Sequence, residues 1–322
     1  MIGSLTYRRA AAVLASALLL VLACGLTACG GSGGSSGPGG SGDGAGESTT
    51  SGPAYSVPGS VALSSFDEGA AQTGNDCAID TSRLAQGYVG ASARSDARLK
   101  FQVVKGEMSY NYDLPGDGTS IIVPINMGDG PYTFRVMQNT SGNNYVELFS
   151  VIDNVNLSSE TAPFLVPNMF VNYNESSAVV AKARELAQGA ANQGDVVRNI
   201  YQWVVDNITY DHDKAAQLAS ATGYVPDPDA TLASGTGICF DYASLGAAML
   251  RSLGIPCQVI TGYVSPDDVY HAWNMVYIDG EWISVEISIK PNSWTRVDLT
   301  FAASGAASTI GDGTSYTDRY TY

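Results

Sequence analysis

Gly237-Ile238-Cys239-Phe240-Asp241-Tyr242-Ala243 opens the stretch that decides the fold. From there Ala243, Leu245, Ala247, Met249, Leu250 and Leu253 make an apolar, small-residue helix. Gly254 stands where a C′ glycine belongs, and Pro256 lies just beyond, so the helix is predicted to stop there. Cys239 therefore falls at the N-terminus of a buried helix. The partial positive charge at that end favours thiolate over thiol, and a backbone N–H there is placed to hold an oxyanion. Cysteine is also a common buried hydrophobe, but a position at a helix start, after Gly235 and Gly237, argues for chemistry.

Working outward, Gln258 to Val264 reads as a strand. His271 to Ile278 and Glu281 to Ile287 read as two more, joined by Asp279-Gly280, a strong hairpin signal. A two-residue loop would pair Ile278 with Glu281, Trp273 with Glu286 and His271 with Ser288. His271 and Glu286 would then be diagonal neighbours on one face, roughly 5.5–8 Å apart between backbones. A carboxylate there fixes the imidazole tautomer and leaves the other ring nitrogen to face a thiol. The chain has only two histidines. The other, His212, sits in the acidic stretch Tyr210-Asp211-His212-Asp213-Lys214, which reads as an exposed polar loop. Cys239, His271 and Glu286 thus stand in chain order as candidate nucleophile, base and orienter.

These blocks, with Leu253-Gly254-Ile255-Pro256, Gly262-Tyr263, Tyr201-Gln202-Trp203-Val204-Val205 and Asn207-Ile208-Thr209-Tyr210-Asp211, resemble the core of the transglutaminase-like superfamily of bacterial proteins. The resemblance covers about residues 170–300. It implies a papain-like α+β fold, with Cys239 as nucleophile and His271 as base. The third position, normally Asp in that superfamily, is Glu286 here, one methylene longer. The resemblance also implies thiol acyl transfer through a thioester, resolved either by an amine or by water. Three function classes follow: an acyltransferase acting on amide or peptide substrates, a cysteine peptidase or amidase with the same triad, and a non-catalytic surface binding or scaffolding protein that keeps the fold. No acidic loop resembles the calcium site of animal transglutaminases. Two histidines and five scattered cysteines leave no clustered zinc ligands, so no cofactor and no metal are expected.

The N-terminus reads as an address. Arg8 and Arg9 precede the apolar run Ala10 to Leu22, which ends in Leu26-Thr27-Ala28-Cys29. This is a signal peptide over 1–28, and its last four residues resemble a bacterial lipobox, implying lipid on Cys29. Residues 29–59 add a Gly/Ser-rich tether that cannot bury apolar surface. The expected location is extracytoplasmic, anchored to the bacterial cell membrane through Cys29, with no further membrane span. Removing the signal takes away two arginines and no acid, so a formal net charge of −15 becomes more negative still. Such a charge disfavours nucleic acid and leaves protein or peptide substrates as the expected partners. Export permits a disulfide, and Cys77 with Cys257 is one pairing to consider.

Between the tether and the helical half, residues 60–171 alternate with period two. Leu99, Phe101 and Val103 do so, then Met108, Tyr110, Tyr112 and Leu114. Further strands are read at Thr119 to Ile125, Tyr132 to Gln138 and Tyr145 to Ile152, punctuated by Gly/Asp/Asn turns. An antiparallel β-sandwich-like accessory or spacer domain is predicted. The transglutaminase-like domain is expected over 172–322, with helices over Ser176 to Ala190 and from an Asp195 cap to Asp206, then a Pro-containing loop around Pro226 and Pro228. The tail after Ala302 could form an edge strand or stay loose.

Overall fold

The computed structural model describes residues 53–264, 269–278, 293–297 and 316–322. The first half of these residues is built from eight strands: β1 (Gln72–Gly74), β2 (Cys77–Asp80), β3 (Tyr88–Ala93), β4 (Leu99–Lys105), β5 (Met108–Leu114), β6 (Ile121–Pro124), β7 (Gly130–Ser141) and β8 (Asn144–Val155). They form two antiparallel four-stranded sheets, ordered β1-β2-β3-β6 and β5-β4-β7-β8. The alternation in β4 turns Leu99, Phe101 and Val103 inward. There they join Phe134 and Val136 of β7, and Ile79, Val89 and Val123 of the facing sheet, in one apolar core. The strands read from alternation are all present. The short strands β1 to β3 went unread because glycine, serine and alanine blur their pattern. Asn75 and Asp76 close the β1–β2 hairpin, both at positive φ, as a two-residue loop requires.

The second half is helical first. It comprises α1 (Ala178–Leu186), α2 (Gln193–Asn207), β9 (Thr209–Tyr210), α3 (His212–Leu218), α4 (Pro228–Ser234), β10 (Thr236–Gly237) and α5 (Cys239–Ser252). The cap of α2 is Asn192, not Asp195. Asn192 has the extended backbone a cap needs, and its side chain accepts from the Asp195 N–H at 2.9 Å. The stretch read as polar loop holds two short helices, each with an aspartate cap: Asp211 for α3 and Asp227 for α4. The α5 stop is a Schellman turn. Gly254 N–H bonds Arg251 O at 3.0 Å, Ile255 N–H bonds Leu250 O at 3.0 Å, and Gly254 takes positive φ.

Helix α5 packs on a third antiparallel sheet, ordered β13-β12-β11-β14, made of β11 (Cys257–Val264), β12 (Val269–Ile278), β13 (Ser293–Val297) and β14 (Tyr316–Thr321). Ile278 pairs with Ser293 of β13. The hairpin and strand read over Asp279 to Ile287 lie outside the described residues. One reading needs correction. Cys77 and Cys257 are free thiols in separate cores, and the disulfide considered between them does not form. Burial pushes the Cys257 thiol up to about 12. The tail does form an edge strand, β14, beside β11. Gly262 permits that pairing, since a Cβ there would sit 2.0 Å from the Thr317 carbonyl oxygen. The architecture is thus mixed, with helices and an antiparallel sheet in the C-terminal half and a sheet-rich region before it.

Candidate active site

The start of α5 is fixed from two sides. Strand β10 lies parallel to β9, with Gly237 opposite Tyr210 and the Asp211 N–H bonded to Gly237 O at 2.9 Å. Asp241, third residue of the helix, accepts from the Ile238 N–H at 2.8 Å and so satisfies the amide just before it. Gly237 is required by this packing, because a Cβ on it would come within 2.7 Å of Asp241 Cβ. Cys239 is thereby held as the first residue of the helix, half-buried at its positive end.

His271 lies on β12, where it pairs with Gly262 of β11 and stacks on Trp273 with ring centroids 6.3 Å apart. It is buried. Cys239 and His271 line the same cleft, of about 490 Å³. Glu286 and Cys29 lie outside the described residues. His212 is exposed, as read, but it is the first residue of α3, with its ring edge-on to Tyr210 at 5.0 Å. It is not among the residues that line the cleft.

Asp241, buried behind the cleft, is the supporting residue that the sequence reading missed. Fully buried, it accepts from Lys214 Nζ at 2.6 Å and from the Tyr224 hydroxyl, besides the Ile238 amide. Lys214 comes from α3 and also lies 4.8 Å from the centre of the Tyr224 ring. Burial alone would lower the Lys214 pKa. The hydrogen bonds to Asp241 and Tyr224 and the Asp241 charge outweigh it, and the pKa rises. Burial first, and then the Asp241 carboxylate, push the Tyr224 hydroxyl up to about 12. Tyr210 lines the cleft beside Cys239, and its hydroxyl is pushed up by burial, then by its neighbours Cys239 and Asp241. One signal for Asp241 was available: an acid at the third position of a helix is a capping residue. Its partners, 27 and 17 residues away, left no local trace.

Chemically, the cleft offers a thiol at a helix N-terminus and an imidazole in the same lining, and behind the thiol a buried polar cluster pins α3 to α5. Residues 180–287 match the family model of the transglutaminase-like superfamily. Cytokinesis protein 3 of Schizosaccharomyces pombe is 33% identical over 120 residues, which cover 33% of this chain and 12% of that protein. Kyphoscoliosis peptidase of Mus musculus is 31% identical over 112 residues, 32% of this chain and 16% of that one. The chain thus spans less than a fifth of the length of these two curated relatives. A solved structure of a proposed cysteine protease from Cytophaga hutchinsonii aligns at 16% identity with a TM-score of 0.38, over 73% of this chain and 83% of that one.

Proposed function

We propose that residues 180–287, which match the transglutaminase-like family model, perform thiol acyl transfer on protein or peptide amides. The Cys239 thiolate attacks the amide carbonyl and forms a carbon–sulfur bond. N–H groups at the start of α5, which have no partner within a helix, meet the oxyanion. The tetrahedral adduct collapses, the carbon–nitrogen bond breaks, and His271 gives the leaving amine its proton. An amine then takes the acyl group from the thioester and makes a cross-link, or water takes it and completes hydrolysis. The peptidase among the relatives supports the second outcome as the alternative reading. Glu286 holds the imidazole tautomer in this scheme. The observation that carries the reading is that Cys239 and His271 line one cleft.

Alkylation by iodoacetamide, followed by peptide mass mapping, tests the thiol. Cys239 is expected to react fast in the native protein and at least tenfold more slowly in His271→Ala, with Glu286→Gln in between. Sluggish alkylation that His271→Ala leaves unchanged would reduce the protein to a binding module. Incubation with a glutamine peptide and a labelled primary amine then separates transfer, which incorporates label, from hydrolysis, which releases ammonia or peptide without it. The proposal extends to location: lipid on Cys29 anchors the protein outside the cytoplasm. Cys29→Ala is therefore expected to move it from the membrane fraction to the soluble one.

A further inference from the structure

The cleft that holds Cys239 and His271 does not end at the helical half. Lys100, Asn111 and Asp113, from strands β4 and β5 of the sandwich, form part of its wall. Across a ridge made of Asp113, Met169 and Val225 lies a second cavity of about 530 Å³, walled by Leu114, Ile121 and Ile122 of the sandwich and by Pro167. The three residues line both cavities, so the two lie side by side with a shared wall.

The ridge is suited to a chain passing over it. Asp113 is already paired with Lys100 at 2.7 Å and with Arg98 at 3.6 Å, so its charge is compensated and the cluster presents polar groups that can meet a backbone. Val225 is 41% exposed on the same ridge, an apolar side chain with nothing over it. The loop that carries it closes against the sandwich at Gly223, where a Cβ would come within 2.7 Å of Asp113 Oδ2. Beyond the ridge the walls are mostly aliphatic, and the volume falls in the range that binds side chains and small ligands.

We propose that the second cavity is a recognition subsite for an apolar side chain on the segment flanking the reacting residue of a polypeptide substrate, and that the β-sandwich supplies it. The occupant is part of the same molecule that enters the first cavity, because the two cavities adjoin across Asp113, Met169 and Val225. The sandwich is then a substrate-reading domain and not a spacer. This inference rests on Cys239 being the reactive thiol.

The test uses the full mature chain and a panel of short peptides carrying an acrylamide electrophile. Leucine is scanned through four positions on either side of the electrophile, and serine is the reference. Labelling of Cys239 is followed by intact mass, with iodoacetamide as a probe too small to reach the second cavity. At one position or more, leucine is expected to raise the second-order labelling rate about tenfold or more over serine, the worth of burying that side chain. Asn172→Trp and Ser120→Trp, both at exposed positions that line the second cavity and not the first, are expected to erase that gain and leave the iodoacetamide rate unchanged. If leucine gives no gain at any position while iodoacetamide still alkylates Cys239, the subsite falls and the reactive thiol stands. A gain that persists in both variants also overturns it. A Cys239 inert to iodoacetamide overturns the subsite and the acyl-transfer reading together.

Discussion

Helix α5 buries a charge at each end, and the two ends are held differently. Asp241 in its first turn and Arg251 in its last are both fully buried, and each has the sign that complements the helix dipole there. Arg251 gives its donors to backbone carbonyls from three separate segments: Nε to Cys257 at 2.8 Å, Nη1 to Val166 at 3.0 Å and Nη2 to Tyr322 at 2.8 Å. Burial works against its charge and lowers its pKa. Those carbonyls neither titrate nor rotate away. Asp241 instead takes donors from two side chains of a layer that is barely buried; α3 has no buried residue at all. The Arg251 end stitches the helix to β11, to Tyr322 after β14 and to the segment before α1. The Asp241 end carries Cys239. The two buried charges thus differ in the kind of partner that holds them, backbone at one end and side chains at the other, and not in depth.

Three substitutions break or sharpen this comparison. Arg251→Met takes a donor from the Cys257 and Val166 carbonyls, while Tyr322 O keeps the Val259 N–H, and an expected cost of about 2–5 kcal/mol makes it the largest effect. Urea unfolding measures it, and the folded fraction should still alkylate at Cys239 at the normal rate. Arg251→Lys recovers little, because one ammonium cannot span three carbonyls. Asp241→Asn comes next, at about 1–3 kcal/mol, since Lys214 loses its counter-ion. Here the alkylation of Cys239 should slow several-fold as well. Equal alkylation rates in Asp241→Asn and Arg251→Met would erase the distinction between the two ends.

Tyr224→Phe removes one of the three donors to Asp241 and should cost about 1 kcal/mol or less. Its signature is in pH. The Tyr224 hydroxyl titrates near 12 when folded and near 10 when free, so the unfolded chain releases its proton first. The contribution is therefore complete below about pH 10 and is lost between about 10 and 12. Lys214, whose pKa is also raised, acts in the same direction. Urea midpoints measured from pH 9 to 12 should fall less steeply in Tyr224→Phe than in the parent. Parallel slopes would remove Tyr224 from the cluster.

Much of α5 was legible because each signal is local. A run of small apolar residues with Gly254 and Pro256 behind it needs no distant partner to mark a helix and its stop. Strands β4 and β5 were legible for the same reason, their alternation being set by one buried face. Helices α3 and α4 were not, since seven residues with little or no buried face leave no stripe to read, although Asp227 before Pro228 was a cap signal. The pairing of β12 with β13 was not legible for a different reason. Strand partners are chosen by the whole sheet, and nothing local marks Ser293 as the residue beside Ile278.

The amino-acid order by itself determined that a cysteine begins a buried helix, that a histidine follows on a strand, and that an antiparallel sheet region precedes both. Only the tertiary structure decided that these two residues share a cleft, that Asp241 ties α3 to the helix that starts at Cys239, that the last residues close the sheet beside β11, and that the sandwich walls both cavities. The physical reason is range. Helix stops and strand alternation come from interactions a few residues apart, whereas a cleft, a buried charge and a sheet edge are settled by groups tens to hundreds of residues away competing for the same space.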